Sequence, residues 1–314
     1  MVRTREPCGR RCESVSLVVT RTDEHPTTSV ILATYGRSDA LDLVLRSLAE
    51  QKGESFDVIV ADDGSGPDVA AVVATWRARL DIEHVWQSDS GFRKARALNL
   101  AALSARGDYL LFLDGDCIPR RGFLKAIRRA RRQGWFLTTK RLFLDERFTE
   151  KVLDEGVPIW RWSAAEWLIR APRQVGRPGY LVPARDRRRP WRPDQPDFVP
   201  PAAAYCLIDL QRGDLERVNG YEGRCTRSND GEDQDLAIRL HRSGLRCGWP
   251  GPAATVLHLW HSVRDDRTRD RPRIFQETIA GTHVMAVDGL RELAAQESAK
   301  RVGRSSPSSD PLNR

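Results

Sequence analysis

Strand-like apolar runs and helix-like amphipathic stretches alternate between residues 29 and 139, and this alternation constrains the fold more than any other feature. Residues 29–33, 56–61, 82–87, 109–113 and 135–139 read as strands. Residues 40–51, 68–78, 93–105 and 121–133 read as the helices between them, the first with Leu41, Val44, Leu45 and Leu48 at helical spacing behind an N-cap at Ser38. The runs 58–61 and 109–113 are continuously apolar, as in strands buried on both faces. The pattern predicts an α/β fold: a mostly parallel central sheet flanked by helices, with a Rossmann-like first half.

The rest of the chain is less regular. Residues 149–169 read as a helix in two pieces, broken at Gly156 and Pro158. Residues 171–201, dense in Pro and Arg, read as a long loop. Then come a strand at 203–210, a helix at 212–218 closed by Asn219-Gly220, a helix at 231–243 stopped by Gly244, a strand at 254–259 and one helix at 274–295. Residues 1–27 are expected to form a flexible arm and 297–314 a disordered tail. No apolar run approaches the ~20 residues of a membrane span, and the apolar stretch at 15–19 is too short for a secretory signal. The six cysteines are scattered, and Cys8 and Cys12 lack a second pair for a zinc set, so reduced thiols are expected.

In open α/β sheets ligands bind at the carboxyl ends of the strands. Tyr35, the pair Asp62-Asp63, and Asp114-Gly115-Asp116 all fall at such ends. Four carboxylates and an aromatic ring thus share one crevice, and crowded carboxylates call for a cation. Neither glycine-rich phosphate loop, GxGxxG after the first strand or GxxxxGK[ST], is present. A bound diphosphate would have to be neutralised by a metal and side chains. Asp114 and Asp116, two apart on extended backbone, face one way, and Gly115 between them would let the backbone approach a ligand.

Four strings carry a resemblance: Ser-Val-Ile-Leu-Ala-Thr-Tyr-Gly-Arg at 29–37, Val-Ala-Asp-Asp-Gly-Ser at 60–65, Gly-Phe-Arg-Lys-Ala-Arg-Ala-Leu-Asn at 91–99 and Leu-Phe-Leu-Asp-Gly-Asp at 111–116. Together they resemble a family 2 glycosyltransferase of the GT-A fold. Val-Asn-Gly-Tyr-Glu-Gly at 218–223, Asn-Asp-Gly-Glu-Asp-Gln-Asp-Leu-Ala-Ile-Arg-Leu at 229–240 and His-Leu-Trp-His at 258–261 are similar to the C-terminal part of galactosyltransferase-type and chondroitin-polymerase-type enzymes. The resemblance covers residues 28–265: a nucleotide-sugar-binding half at 28–140 and an acceptor/catalytic half at 141–265, followed by a helical segment at 266–296.

The resemblance implies an inverting, metal-dependent hexosyltransferase. Tyr35 and Asp63 would hold the base of the nucleotide, usually uracil; the alternative for Asp62 and Asp63 is a turn capping the next helix, with one of the pair doing only that. Lys94 and Arg96 would face the diphosphate, or form a solvated helix face. Asp114 would lie near the ribose. Asp116 and His258 would ligate a divalent metal, Mn²⁺ in preference to Mg²⁺, with His261 as a further ligand if the chain turns after Leu259. Asp233 would be the catalytic base and Glu232 would position the acceptor. An acceptor hydroxyl is a poor nucleophile until a carboxylate takes its proton. A base opposite the departing diphosphate gives inversion. The implied partners are a nucleotide-sugar donor, a UDP-sugar above others, and a glycan or lipid-linked acceptor. The chain lacks the family's Gly-x-Asn near 203–210, and Ser228-Asn229-Asp230-Gly231 replaces its Trp-Gly, so the sugar stays unnamed.

Charge adds one further reading. The chain carries 51 basic and 43 acidic residues, net +8. Only six of the basic residues are Lys, as GC-rich codon usage would give. Basic runs at 120–132 and 185–192 attract anions, and a cytoplasmic location with peripheral association at an anionic membrane face is expected, with no nucleic-acid partner. The rival reading is a GT-A-fold binding protein that has lost its chemistry. Trp160, Trp162 and Trp167 either pack the core or stack on a sugar.

Overall fold

The computed structural model describes residues 27–170, 207–228, 230–262 and 273–305. In chain order the first half runs β1 (Thr28–Thr34), α1 (Ser38–Leu48), β2 (Phe56–Asp62), α2 (Pro67–Trp76), β3 (Ile82–Trp86), α3 (Lys94–Ser104), β4 (Tyr109–Asp114), β5 (Cys117–Pro119), α4 (Phe123–Ala130) and β6 (Trp135–Thr138). The second half continues with β7 (Arg141–Phe143), α5 (Glu146–Glu155), α6 (Ala164–Arg170), β8 (Leu207–Gln211), α7 (Arg212–Arg217), α8 (Glu232–Arg242), β9 (Arg246–Gly248), β10 (Val256–His258), α9 (Arg273–Ala280) and α10 (Leu290–Ser305).

The main sheet has the order β3-β2-β1-β4-β8-β6-β9. Its first four strands are parallel, β8 runs antiparallel to both β4 and β6, and β9 is parallel to β6. Strands from both halves of the chain therefore share one sheet. Side-chain alternation explains the apolar runs. Val30, Leu32, Val58, Val60, Leu111 and Leu113 enter the core on one face, and Ile31, Ile59, Leu110 and Phe112 the core on the other.

A small second sheet, β5-β10-β7, lies beyond the carboxyl end of β4. β10 is antiparallel to β5 and pairs His258 with Cys117. This pairing brings the residue after Asp116 beside the C-terminal histidine.

Several expectations are corrected. The helix expected at 274–295 is two helices, α9 and α10, with 281–289 between them folded onto the segment 218–223. α10 continues to Ser305, through the first part of the tail expected to be disordered. Gly115 does not open the backbone to a ligand: it packs on β1, donating its N–H to the Ala33 carbonyl (2.8 Å), and a Cβ would meet that oxygen at 2.7 Å. Of the two readings of the tryptophans, core packing holds for Trp160 and Trp167, which are buried, with Trp162 and Phe148 against Trp167. Residues 1–26 of the expected arm at 1–27, the expected loop at 171–201, the first residues of the strand expected at 203–210, and Cys8, Cys12 and Cys206 lie outside the described residues. Among the described residues no helix is long and apolar enough to cross a membrane.

Candidate active site

The carboxyl ends of β1, β2 and β4 meet the first turn of α8 and the end of β10. At their centre stands Lys94, at the start of α3. Its ammonium lies 2.9 Å from Asp114 Oδ1, 3.0 Å from Glu232 Oε1 and 3.3 Å from Asp233 Oδ2. Burial disfavours a charged lysine, but the three carboxylates more than reverse this and hold its pKa well above the ordinary value. Burial pushes Asp233 up to about 7; Lys94 opposes the shift, and Glu232 and Asp114 add to it. One ammonium cannot balance three acids, and Asp233 holds its proton to near-neutral pH. Arg141, from β7, adds a guanidinium 3.9 Å from Asp114 Oδ2.

The chain geometry that presents the acid pair is local. Gly231 adopts the left-handed region at φ 76°, turning the chain into α8 so that Glu232 and Asp233 occupy its first turn. Carboxylates there face the positive end of the helix dipole.

A second cluster adjoins the first. Asp116 Oδ2 lies 3.8 Å from His258 Nε2 and 3.4 Å from His261 Nε2. The two imidazoles are 5.3 Å apart between ring centroids, so the chain does turn after Leu259 as joint ligation requires. Donor atoms of Asp116, Cys117 and His258 all lie within 4.8 Å of one another. Asp116 Oδ1 and His258 Nδ1 are buried without a hydrogen-bond partner. Burial also lowers the His258 pKa, favouring the neutral ring that ligates cations. Orphaned acceptors, a neutral imidazole and a carboxylate within ligand distance fit a divalent cation. Cys117 was not expected in this set; the signal available was its place directly after Asp116.

The nucleotide-side residues separate by role. Asp62 accepts from Ser65 N (2.8 Å) and pairs with His84 (2.8 Å), so it shapes the turn after β2. Asp63 is held by Gln87 Nε2 and Arg93 N, both at 2.6 Å, and burial raises its pKa. Tyr35 is exposed at the mouth, its hydroxyl on Asp89 (2.9 Å). Arg96 is not brought to the Lys94 cluster. It reaches Gln87 and, at 3.2 Å, Glu297 of α10.

Residues 29–139 match the family model described as glycosyl transferase family 2. The chain is 38% identical over 93 residues to chondroitin synthase of Pasteurella multocida, covering 29% of this chain and 10% of the synthase. It is 28% identical over 259 residues to the pre-mycofactocin glycosyltransferase of Mycobacterium tuberculosis, 82% of this chain and 46% of that protein. The chain thus spans less than half the length of either relative. Among solved structures, S. aureus TarS in complex with UDP-GlcNAc superposes with a TM-score of 0.55 at 18% identity, covering 85% of this chain and 69% of that one. The Pyrobaculum calidifontis mannosyltransferase in complex with GDP-Man and Mn²⁺ gives 0.50 at 19%, covering 91% and 78%. These likenesses show the fold, which is of the GT-A type.

Proposed function

Residues 29–139 belong to glycosyl transferase family 2, and from that premise we propose that the chain is an inverting glycosyltransferase moving a sugar from a nucleotide-sugar, a UDP-sugar above others, to a hydroxyl of a glycan or lipid-linked glycan. The observation that carries this reading is the convergence of Asp114, Glu232 and Asp233, from two distant parts of the sequence, on Lys94 beside the Asp116–His258–His261 cluster.

Tyr35 and Asp63 flank the position of the base. Asp114, at the end of β4, faces the ribose side, and Lys94 and Arg141 place positive charge where a diphosphate departs. Asp116 and His258, with His261 and Cys117 in reach, would hold the divalent ion, Mn²⁺ in preference to Mg²⁺. Such an ion offsets the charge of a diphosphate leaving group. The complexes of the two solved neighbours, with UDP-GlcNAc and with GDP-Man and Mn²⁺, support donor class and metal alike.

Asp233 takes the proton of the acceptor hydroxyl, and Glu232 orients that hydroxyl. A base poised near neutral pH suits this work, and burial among like charges supplies the poise. The bond from the anomeric carbon to the diphosphate oxygen breaks as the acceptor oxygen attacks from the opposite face. We read residues 141–265 as the acceptor/catalytic half, with a galactosyltransferase-like segment at 218–261, and the protein as working in the cytoplasm, at the inner membrane face where lipid-linked acceptors lie. The test is a panel of nucleotide-sugars read by nucleotide release, with Asp233→Ala as control. Release by the wild type and none by the variant is expected; equal release by both removes Asp233 from the mechanism.

A further inference from the structure

The geometry points to Tyr221 as a positioning residue whose buried hydroxyl is the fixed end of a one-water bridge to the Asp233 carboxylate. The kinetic part of this inference rests on the glycosyltransferase reading above; the bridge itself does not.

Tyr221 is fully buried, and its hydroxyl has no hydrogen-bond partner. Buried tyrosine hydroxyls nearly always find one. A phenylalanine would fill the same space without desolvating an oxygen, so a hydroxyl kept here needs an occupant to bond. A small cavity of about 10 Å³ supplies the room, enough for the centre of one water. Lys94, Asp114, Tyr221 and Asp233 line it. A buried water needs two to four polar partners, and these four are the residues with polar side chains in an otherwise apolar lining.

The ring is held from several directions. It stands edge-on to Phe112, centroids 5.0 Å apart at 77°. The Tyr221 N–H donates to Asn99 Oδ1, and the Asn99 amide donates to the Tyr221 carbonyl, both at 2.9 Å. Gly220, at φ 73°, permits this: a Cβ there would meet Asn99 Oδ1 at 2.5 Å. Arg239, wholly buried in α8, donates to the carbonyls of Val218 (2.8 Å) and Gly220 (2.9 Å). From the other side the segment before α10 seals the strip: Ala286 N donates to the Val218 carbonyl and Gly223 N to the Asp288 carbonyl. The same helix that presents Asp233 thus clamps the backbone that presents Tyr221. Their relative position is set by one rigid body.

The charged groups facing Asp233 are Lys94 from α3, Asp114 from the end of β4 and its neighbour Glu232, with Arg141 from β7 reaching Asp114. Among them the phenol is a neutral group that can donate into the cluster without adding negative charge. Through the water it holds one carboxylate rotamer of Asp233 and favours its ionised form.

Tyr221→Phe tests this. A crystal structure of the wild type at high resolution is expected to show a water within hydrogen-bond distance of Tyr221 Oη and Asp233, displaced in the variant. Melting temperature is expected to fall slightly, since a made bond is lost; a rise means that the hydroxyl had no partner and overturns the bridge. In the transfer assay kcat is expected to drop about tenfold at unchanged donor KM, with the acidic limb of the pH–kcat profile moved to higher pH. Equal kcat and an unmoved limb overturn the positioning role. Water seen in a wild type that transfers no sugar to any acceptor upholds the bridge and sinks the glycosyltransferase reading instead.

Discussion

Asp235 and Asp233 sit two residues apart in the first turn of α8. Asp235 faces the core. Its Oδ2 accepts from Arg239 Nε (2.9 Å) and Nη2 (2.6 Å), and its Oδ1 accepts from the Thr278 hydroxyl (2.6 Å). One carboxylate meets one guanidinium, and both oxygens are satisfied. Asp233 faces the crevice with a single long contact to an ammonium that two other carboxylates share. The satisfied acid organises structure: Arg239 ties α8 to the strip 218–220 and Thr278 ties it to α9. The under-satisfied acid stores a raised proton affinity that a reaction can use. A half-turn of helix separates these roles because successive residues point to different sides.

Substitutions at the two positions should trade places in their effects. Asp233→Asn is expected to lower turnover at least ~10³-fold, the loss of a general base, while far-ultraviolet circular dichroism stays unchanged. Burial holds the Asp233 proton in the folded chain to about pH 7, against 3.8 ordinarily. Folded-state stability therefore declines as the pH rises through that interval. The melting temperature of Asp233→Asn should exceed that of the wild type above pH 7, with the difference closing toward pH 4. A lower melting temperature at pH 8 would erase the contrast with Asp235.

Asp235→Ala should do the reverse, destabilising the fold by about 3–5 kcal/mol in urea titrations because it strands the buried Arg239 charge. Next in size is the cation cluster. Nucleotide with Mn²⁺ should raise the melting temperature, by about 2.7 kcal/mol of stability at a hundredfold excess over Kd. Asp116→Ala and His258→Ala should abolish the metal-dependent part. In the free enzyme kcat/KM should rise with pH and level off above about 7; a flat profile from pH 5 to 8 would show that Asp233 is not the titrating base. The smallest effect belongs to Arg96→Ala, whose half-open pair with Glu297 is worth ~1 kcal/mol or less. Donor affinity should not change, and a large loss would place Arg96 on the diphosphate after all.

The basic run at 120–132 shows where charge counting ended. Arg131 pairs with the buried Asp209 (2.7 Å), and Arg128 pairs with Glu54 (2.7 Å). Part of what looked like an anion-attracting patch holds α4 to the sheet. Sequence spacing cannot tell such an arginine from a solvated one, since the partner stands 78 or 74 residues away. Lys94 teaches the same lesson inside the site. Its place in the string at 91–99 gave no sign of the three acids, Asp114, Glu232 and Asp233, that the fold gathers on its ammonium.

Local chemistry decided much without help from the fold. Apolar runs buried on two faces, helix periods between them and carboxylates at strand ends yielded the sheet and the crevice, because periodicity and propensity act over a few residues; the acid pair of α8 was implied by the resemblance of the string at 229–240. Three-residue strands such as β5 and β7 are too short to leave a pattern, and the break between α9 and α10 follows from bonds to residues 218–223. Asp235 has its partner Arg239 four residues on in the same helix, but that Asp233 is left poised was decided only by tertiary packing. A pKa depends on burial and on charges brought close in space, and those distances belong to the folded chain.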